Sequence, residues 1–258
     1  MSFFSAREHA FEPSELTRGP WDPDSQHAGP PAALLGRAVE RCGEDQGKHV
    51  ARITFEILRP VPMTTLTVSA RVARPGRSVE LVEASLADAE GEVMRAAAWR
   101  LRTKAVELEP APPDEPPAHG PADGSPTGFF PTGADVGYHT AMEYRFVTGA
   151  FLELGPAVVW MRMRHPLVEG EEPSPLQRVL VAADSGNGVS AALDYRRYLF
   201  INTDLTVYLH RAPATEWVCL DAVTRLDPAG VGMSDTLLWD ERGRVGRGLQ
   251  ALLVRRRV

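Results

Sequence analysis

Residues 152 positions apart repeat one another, and this repeat constrains the fold more than any other feature of the chain. Thr54 recurs as Thr206 and Arg59 as Arg211, each pair where a β-like run leaves into a proline-containing turn. Asp88, Gly91, Val93 and Arg95 recur as Asp240, Gly243, Val245 and Arg247, which writes the same hairpin turn into both halves. A register held through strands and turns indicates one unit duplicated in tandem. Between the copies lies a stretch dense in proline, from Pro110 through Pro112, Pro113, Pro116, Pro117, Pro121 and Pro126 to Pro131, with few apolar residues before Phe129 and Phe130. Proline fixes φ and removes a donor, so this stretch excludes an interior strand or helix and reads as a connector. The expected organisation is a unit over 1–104, a connector over 105–136 and a second unit over 137–258.

Each unit reads as one helix with a run of antiparallel strands. Pro31–Cys42 and Leu176–Ala183 carry the helical spacing of apolar residues. β-like runs are expected at Val50–Leu58, Leu66–Val72, Val79–Ala87 and Val93–Arg102 in the first half. In the second they are expected at Met142–Phe146, Ala157–Met163, Leu199–His210, Trp217–Thr224, Gly232–Trp239 and Val245–Arg255. A single amphipathic helix lying across a sheet buries one of its faces, and two such units side by side cover each other's edges. Trp99, Trp160, Trp217 and Trp239 fall in these runs and read as core or interface.

Composition narrows the function classes. Twenty-eight basic against 34 acidic residues give a net charge of -6, which argues against a nucleic-acid partner. The basic run Arg255–Arg257 reads as a solvated tail. Cys42 and Cys219 stand far apart without metal-ligand neighbours, which suggests neither a disulfide framework nor a zinc site and points to a reduced, cytoplasmic setting. Met1–Phe11 contains Arg7, Glu8 and His9 and no apolar core of signal-peptide length. No run approaches the roughly 18 apolar residues of a membrane helix. There is no GxGxxG fingerprint, phosphate loop, HExxH or nucleophile elbow.

Three segments carry a family resemblance. Ala182-Ala183-Asp184-Ser185 ends the second helix with an aspartate. Asn202-Thr203-Asp204-Leu205-Thr206-Val207-Tyr208-Leu209-His210-Arg211 has an Asp with His-Arg six residues on. Gly248-Leu249-Gln250-Ala251-Leu252 sets a glutamine on the last long strand. Together they resemble the double hotdog acyl-CoA thioesterases of the thioesterase II type. The resemblance implies an α+β fold of two tandem hotdog units, each a long central helix wrapped by an antiparallel β-sheet. It further implies that an Asp, a Thr or Ser, and a Gln hold one water against the thioester carbonyl. Carried over, these are Asp184 and Gln250, with Asn202 at the hydroxyl position or the neighbouring Thr203 in its place. His27-Ala28-Gly29-Pro30-Pro31 resembles the His-Gly-Gly lead-in of single hotdog thioesterases, whose backbone N–H at the helix start polarises the carbonyl. Substrate contacts are thus expected at His27, Ala28, Gly29 and Gly186.

The residue types suit the chemistry. A carboxylate can take a proton from water attacking an activated thioester, and flanking amides fix the orientation of that water. Ala98 stands at the position matching Gln250, which predicts one active site per chain. The resemblance implies an acyl-CoA substrate, no metal or organic cofactor, and a homodimer of double hotdogs. Asp204 and His210 read as structural, tying strand to helix. Two alternatives stay open: a hotdog hydratase or dehydratase using Asp22 to His27, and a non-catalytic acyl-CoA or lipid-binding module.

Overall fold

The computed structural model describes residues 1–7, 10–43, 47–107, 117–129 and 131–257. Glu8, His9, residues 108–116 of the expected connector and Phe130 lie outside the described residues. The first half holds β1 (Phe4–Arg7), β2 (Ala10–Pro13), α1 (Gly29–Arg41), β3 (Lys48–Ile57), β4 (Leu66–Arg74), β5 (Val79–Asp88) and β6 (Gly91–Arg102). The second holds α2 (Tyr138–Ala141), β7 (Met142–Thr148), β8 (Ala157–Met163), α3 (Pro175–Ala183), α4 (Gly186–Val189), β9 (Tyr198–Asn202), β10 (Asp204–Leu209), β11 (Val218–Asp227), β12 (Val231–Asp240) and β13 (Gly243–Arg256). Burial alternates along β5 and β12, as it must when one face of a sheet meets a helix and the other meets solvent.

The described strands form one antiparallel sheet in the order β1-β2-β4-β5-β6-β3-β10-β13-β12-β11-β8-β7, with β9 also pairing with β13. Its eight central strands read the same from either side once each is replaced by its counterpart 152 residues away. At the centre β3 pairs with β10, Thr54 faces Thr206, and their Oγ1 atoms lie 3.1 Å apart. Glu56 faces Asp204 and Arg52 faces Tyr208, a register that maps onto itself under the same offset.

The repeated turn residues form one device made twice. Arg59 Nη2 donates to Asp88 (2.5 Å) and to the Gly91 carbonyl (3.3 Å). Arg211 donates to both oxygens of the fully buried Asp240 (2.7 Å each) and to the Gly243 carbonyl (2.9 Å). Gly91 and Gly243 sit at φ 125° and 141°, a backbone region that excludes residues with a Cβ. The arginine at a strand exit therefore clasps the hairpin turn beside it in each half.

Helices α1 and α3 pack against each other on one face of the sheet and run antiparallel. Pro30 and Pro31 open α1, where their missing donors cost nothing, and Ser174 caps α3 by accepting from Gln177 N–H at 3.2 Å. At one end the start of α1 abuts the end of α3, so closely that a Cβ on Gly29 would lie 2.4 Å from the Val181 carbonyl oxygen. At the other end Arg37 holds Glu171 through two hydrogen bonds (2.7 and 2.6 Å) and Ser174 Oγ donates to Glu40 (2.7 Å).

Several expectations change. With 13 and 9 residues, α1 and α3 are compact rather than long. The expected run Leu199–His210 is two strands, broken at Thr203, because the Asp204 carboxylate takes the Ala251 N–H (2.7 Å). Asp204 thus ties strand to strand, not strand to helix. His210 is exposed, and its backbone N–H pairs with Val245. The described part of the connector packs on the second half: Trp160 Nε1 donates to His119 O (3.0 Å), Ser125 exchanges backbone hydrogen bonds with Phe146, and the Phe129 ring packs at a tilt against Phe151. Of the four tryptophans placed in strands only Trp160 is fully buried. Trp99 lies under Arg74, and Trp217, just outside β11, under Arg145 and Arg162.

Candidate active site

The junction where α1 begins and α3 ends holds an aspartate that the local sequence delivers there. Asp184 is the C-cap of α3, so its side chain leaves the helix toward the first turn of α1. Only 5% of it is exposed. Asn202, at the end of β9, donates through Nδ2 to Asp184 Oδ1 at 2.8 Å. Gln250, on β13 and 2% exposed, donates through Nε2 to the same oxygen (3.2 Å) and to the Asp184 carbonyl (3.1 Å). The glutamine's orientation is fixed from behind, because its Oε1 accepts the Asn187 N–H at 3.1 Å.

The first half contributes the other side. His27 Nδ1 lies 3.2 Å from Asp184 Oδ2, and Gly29 N–H donates to that Nδ1 at 3.1 Å. Pro30 and Pro31 have no N–H, so the donors at the opening of α1 are those of Ala28 and Gly29. Both draw the Asp184 carboxyl toward its ionised form. Burial outweighs them, together with the two side-chain amides, and raises Asp184 from 3.8 to about 7. Burial also pushes His27 down to about 3, so the imidazole is neutral and the pair is no salt bridge. A neutral Nδ1 that accepts from Gly29 meets Asp184 Oδ2 favourably when the carboxyl is protonated and donates. Near neutral pH the proton that comes and goes is therefore the one on Asp184, while His27 stays neutral.

Tyr138 gave no signal in the sequence yet completes this wall. Its ring stacks on His27 (3.7 Å between centroids, 11° between planes), and its hydroxyl donates to Val181 O at 2.7 Å beside Ser185 Oγ at 2.9 Å. The burial that stacks it raises its phenol well above the ordinary range.

The expected residues separate into two groups. Asp184, Asn202, Gln250, His27, Ala28 and Gly29 come together. Thr203 is exposed and lines the same cleft as Asp184 and Asn202 without a side-chain contact to the carboxyl, and Gly186 packs against β12 and β13, where a Cβ would lie 2.5 Å from Thr236 Oγ1. Asp184, His27 and Asn202 line a cleft of about 620 Å³ together with Trp21, Asn187 and Phe200. Behind His27 a cavity of about 40 Å³ continues between Phe129, Tyr138, Tyr144 and Phe151. A carboxyl that ionises near pH 7, held by amides at the floor of such a cleft, can accept a proton from water. No group of three or more His, Cys, Asp or Glu able to hold a metal occurs among the described residues, and no helix among them is long and apolar enough to cross a membrane.

The chain superposes on a protein from Thermobifida fusca YX assigned as a thioesterase II, with a TM-score of 0.76, 16% identity, and coverage of 98% of this chain and 94% of that one. A hotdog-fold protein of unknown function from Alicyclobacillus acidocaldarius gives 0.71, 16% identity, and coverage of 99% and 96%. An acyl-CoA thioesterase II from Mycobacterium marinum gives 0.65, 14% identity, and coverage of 98% and 94%. These likenesses establish the hotdog fold. No curated protein matches the chain. The family profile of the acyl-CoA thioesterase C-terminal domain matches residues 110–254, and that of the N-terminal domain matches residues 17–101. The chain belongs to the acyl-CoA thioesterase family and is a hydrolase of thioester bonds.

Proposed function

We propose that the protein hydrolyses acyl-CoA to free acid and coenzyme A at a single site per chain, with Asp184 as general base. In this reading the chain is a double hotdog, with units over 1–104 and 137–258 and a connector over 105–136. The observation that carries the proposal is the meeting at the cleft floor of Asp184 and two amides from the second half with the start of α1 from the first.

Water held beside the Asp184 carboxylate by Asn202, with Gln250 fixing that carboxylate from behind, attacks the thioester carbonyl carbon as Asp184 takes its proton. Negative charge thereby leaves the carboxylate and appears on the carbonyl oxygen. The Ala28 and Gly29 N–H groups, freed of the carboxylate, follow that charge, aided by the positive end of the α1 dipole. The tetrahedral intermediate collapses by breaking the C–S bond, and the departing thiolate takes the proton from Asp184. Asn202 replaces a hydroxyl in this scheme: its Nδ2 anchors Asp184, and its Oδ1, which makes no hydrogen bond among the described residues, accepts from the water. Thr203 stays at the cleft mouth, Gly186 keeps α4 close to Gln250, and His27 and Tyr138 position the lead-in loop.

The test is thiol release from a panel of acyl-CoA esters. Wild type should release coenzyme A and Asp184→Asn should lose at least about a hundredfold, the ordinary contribution of a general base. Equal rates for the two proteins would refute the proposal.

A further inference from the structure

The same cleft reaches the basic run at the end of β13, where the sequence suggested only a solvated tail. Arg255 and Arg257 line it together with Asp184 and Asn202. Gln250 and Leu252 are buried, whereas Ala251, Leu253 and Arg255 are exposed, so Arg255 lies on the sheet face away from the helices. Leu199 and Ile201 of β9 line the cleft as well as Phe200 and Asn202, so it passes from one face of the sheet to the other along β9.

We propose that Arg255 and Arg257 form the subsite for the diphosphate of a coenzyme A thioester; this rests on the reading of the cleft as an acyl-CoA site. The first argument is length. Leu252 pairs with Asn202 and Arg255 with Leu199, so Arg255 stands three residues beyond the catalytic level and Arg257 five. At about 3.4 Å per residue these are ~10 and ~17 Å. The pantetheine arm has about thirteen bonds from sulfur to the first phosphorus, and at about 1.2 Å per extended bond it spans roughly 16 Å. With the sulfur at Asp184, the first phosphate arrives at the level of the strand end that carries the two arginines.

The second argument is availability. The Arg255 backbone pairs with Leu199, but its guanidinium makes no hydrogen bond or ion pair among the described residues. Arg257 donates through Nε to the carbonyls of Tyr195 (2.8 Å) and Tyr198 (3.2 Å), which fixes its plane and leaves its Nη groups for a ligand. Arg59, at the same rim, is already held by Asp88, and the rim carboxylate Asp22 is occupied by Ser25 Oγ and Asp24 N–H. Guanidinium pairs with phosphate in bidentate, charge-assisted geometry.

The third argument is an internal control supplied by the repeat. A second cleft of about 580 Å³ is lined by the counterpart positions, with Leu209–Pro213 for Ile57–Val61, Val50 for Asn202 and Thr103 for Arg255. Ala98 stands for Gln250 and Ala105 for Arg257. Where the catalytic amides are lost, both guanidinium groups are lost too. The cations that line the second cleft are already paired, Lys48 and Arg100 with Glu80 and Arg211 with Asp240.

The experiment compares one acyl group carried on coenzyme A, on 4′-phosphopantetheine and on pantetheine, with wild type, Arg255→Thr (the residue of the other half) and Arg257→Gln. Wild type should prefer acyl-CoA over acyl-pantetheine in kcat/KM, with the phosphopantetheine ester between them. Each variant should lower that ratio about tenfold, the effect of one charge-assisted hydrogen bond. A ratio unchanged by both variants overturns the subsite. Calorimetric titration with coenzyme A alone needs no turnover and separates the two ideas. Weaker binding by Arg255→Thr supports the subsite even if no thioester is hydrolysed, and equal binding by the variant and wild type rejects it.

Discussion

Replacing Asp184 by asparagine should stabilise the protein while removing its activity, by an amount that depends on pH. Burial raises this carboxyl from 3.8 to about 7 in the folded chain, and unfolding returns it to the ordinary value. Between those values the folded protein keeps a proton that the unfolded chain has released. Stability from this group is therefore fully present below about pH 4, declines as pH rises, and levels off above about pH 7. At about 1.4 kcal/mol per pH unit, the decline between pH 5 and pH 8.5 is about 3 kcal/mol. Asparagine mimics the protonated carboxyl in size and stays neutral throughout, so Asp184→Asn should lack this decline. The assay is urea unfolding of both proteins at the two pH values. Every other titrating group cancels in the comparison of wild type with variant. The variant's advantage should be larger at pH 8.5 than at pH 5 by about 3 kcal/mol. An equal advantage at both pH values would show that Asp184 ionises normally and would refute the reasoning from burial.

Three further outcomes follow from other contacts. Asn202→Leu removes a donor that holds the Asp184 carboxyl down, so the midpoint of the kcat/KM pH profile should move above that of wild type. Gly186→Ala should cost about 1–3 kcal/mol in denaturant unfolding, because its Cβ would press on Thr236 Oγ1, and Thr236→Ala should recover most of that loss. The Tyr144 hydroxyl is buried without a partner among the described residues, so Tyr144→Phe should leave the unfolding free energy unchanged or raise it by about 1 kcal/mol.

What was legible in the sequence depended on how local its cause was. The 152-residue register could be read because Arg59, Asp88 and Gly91 and their counterparts build a clasp closed within one hairpin neighbourhood. Strand identity followed from alternation, and Ala157–Met163 matched to the residue. The hairpin of β1 and β2 went unseen because four-residue strands are too short to show a period. The break at Thr203 depends on Asp204 reaching a different strand, and nothing around residue 203 announces it. The pairing of Asp184 with Gln250 was available from the family resemblance. Tyr138 was not, since its stacking on His27 joins segments more than a hundred residues apart.

The account turns on one carboxyl that must lose its proton to work. Initial rates of acyl-CoA hydrolysis across pH 5.5 to 8.5 report that event directly. The expected kcat/KM rises about tenfold per pH unit in the acid range and levels near pH 7, following the Asp184 value of about 7. A profile that is flat over this range, or one still rising with unchanged midpoint in Asp184→Asn, would contradict Asp184 as the base.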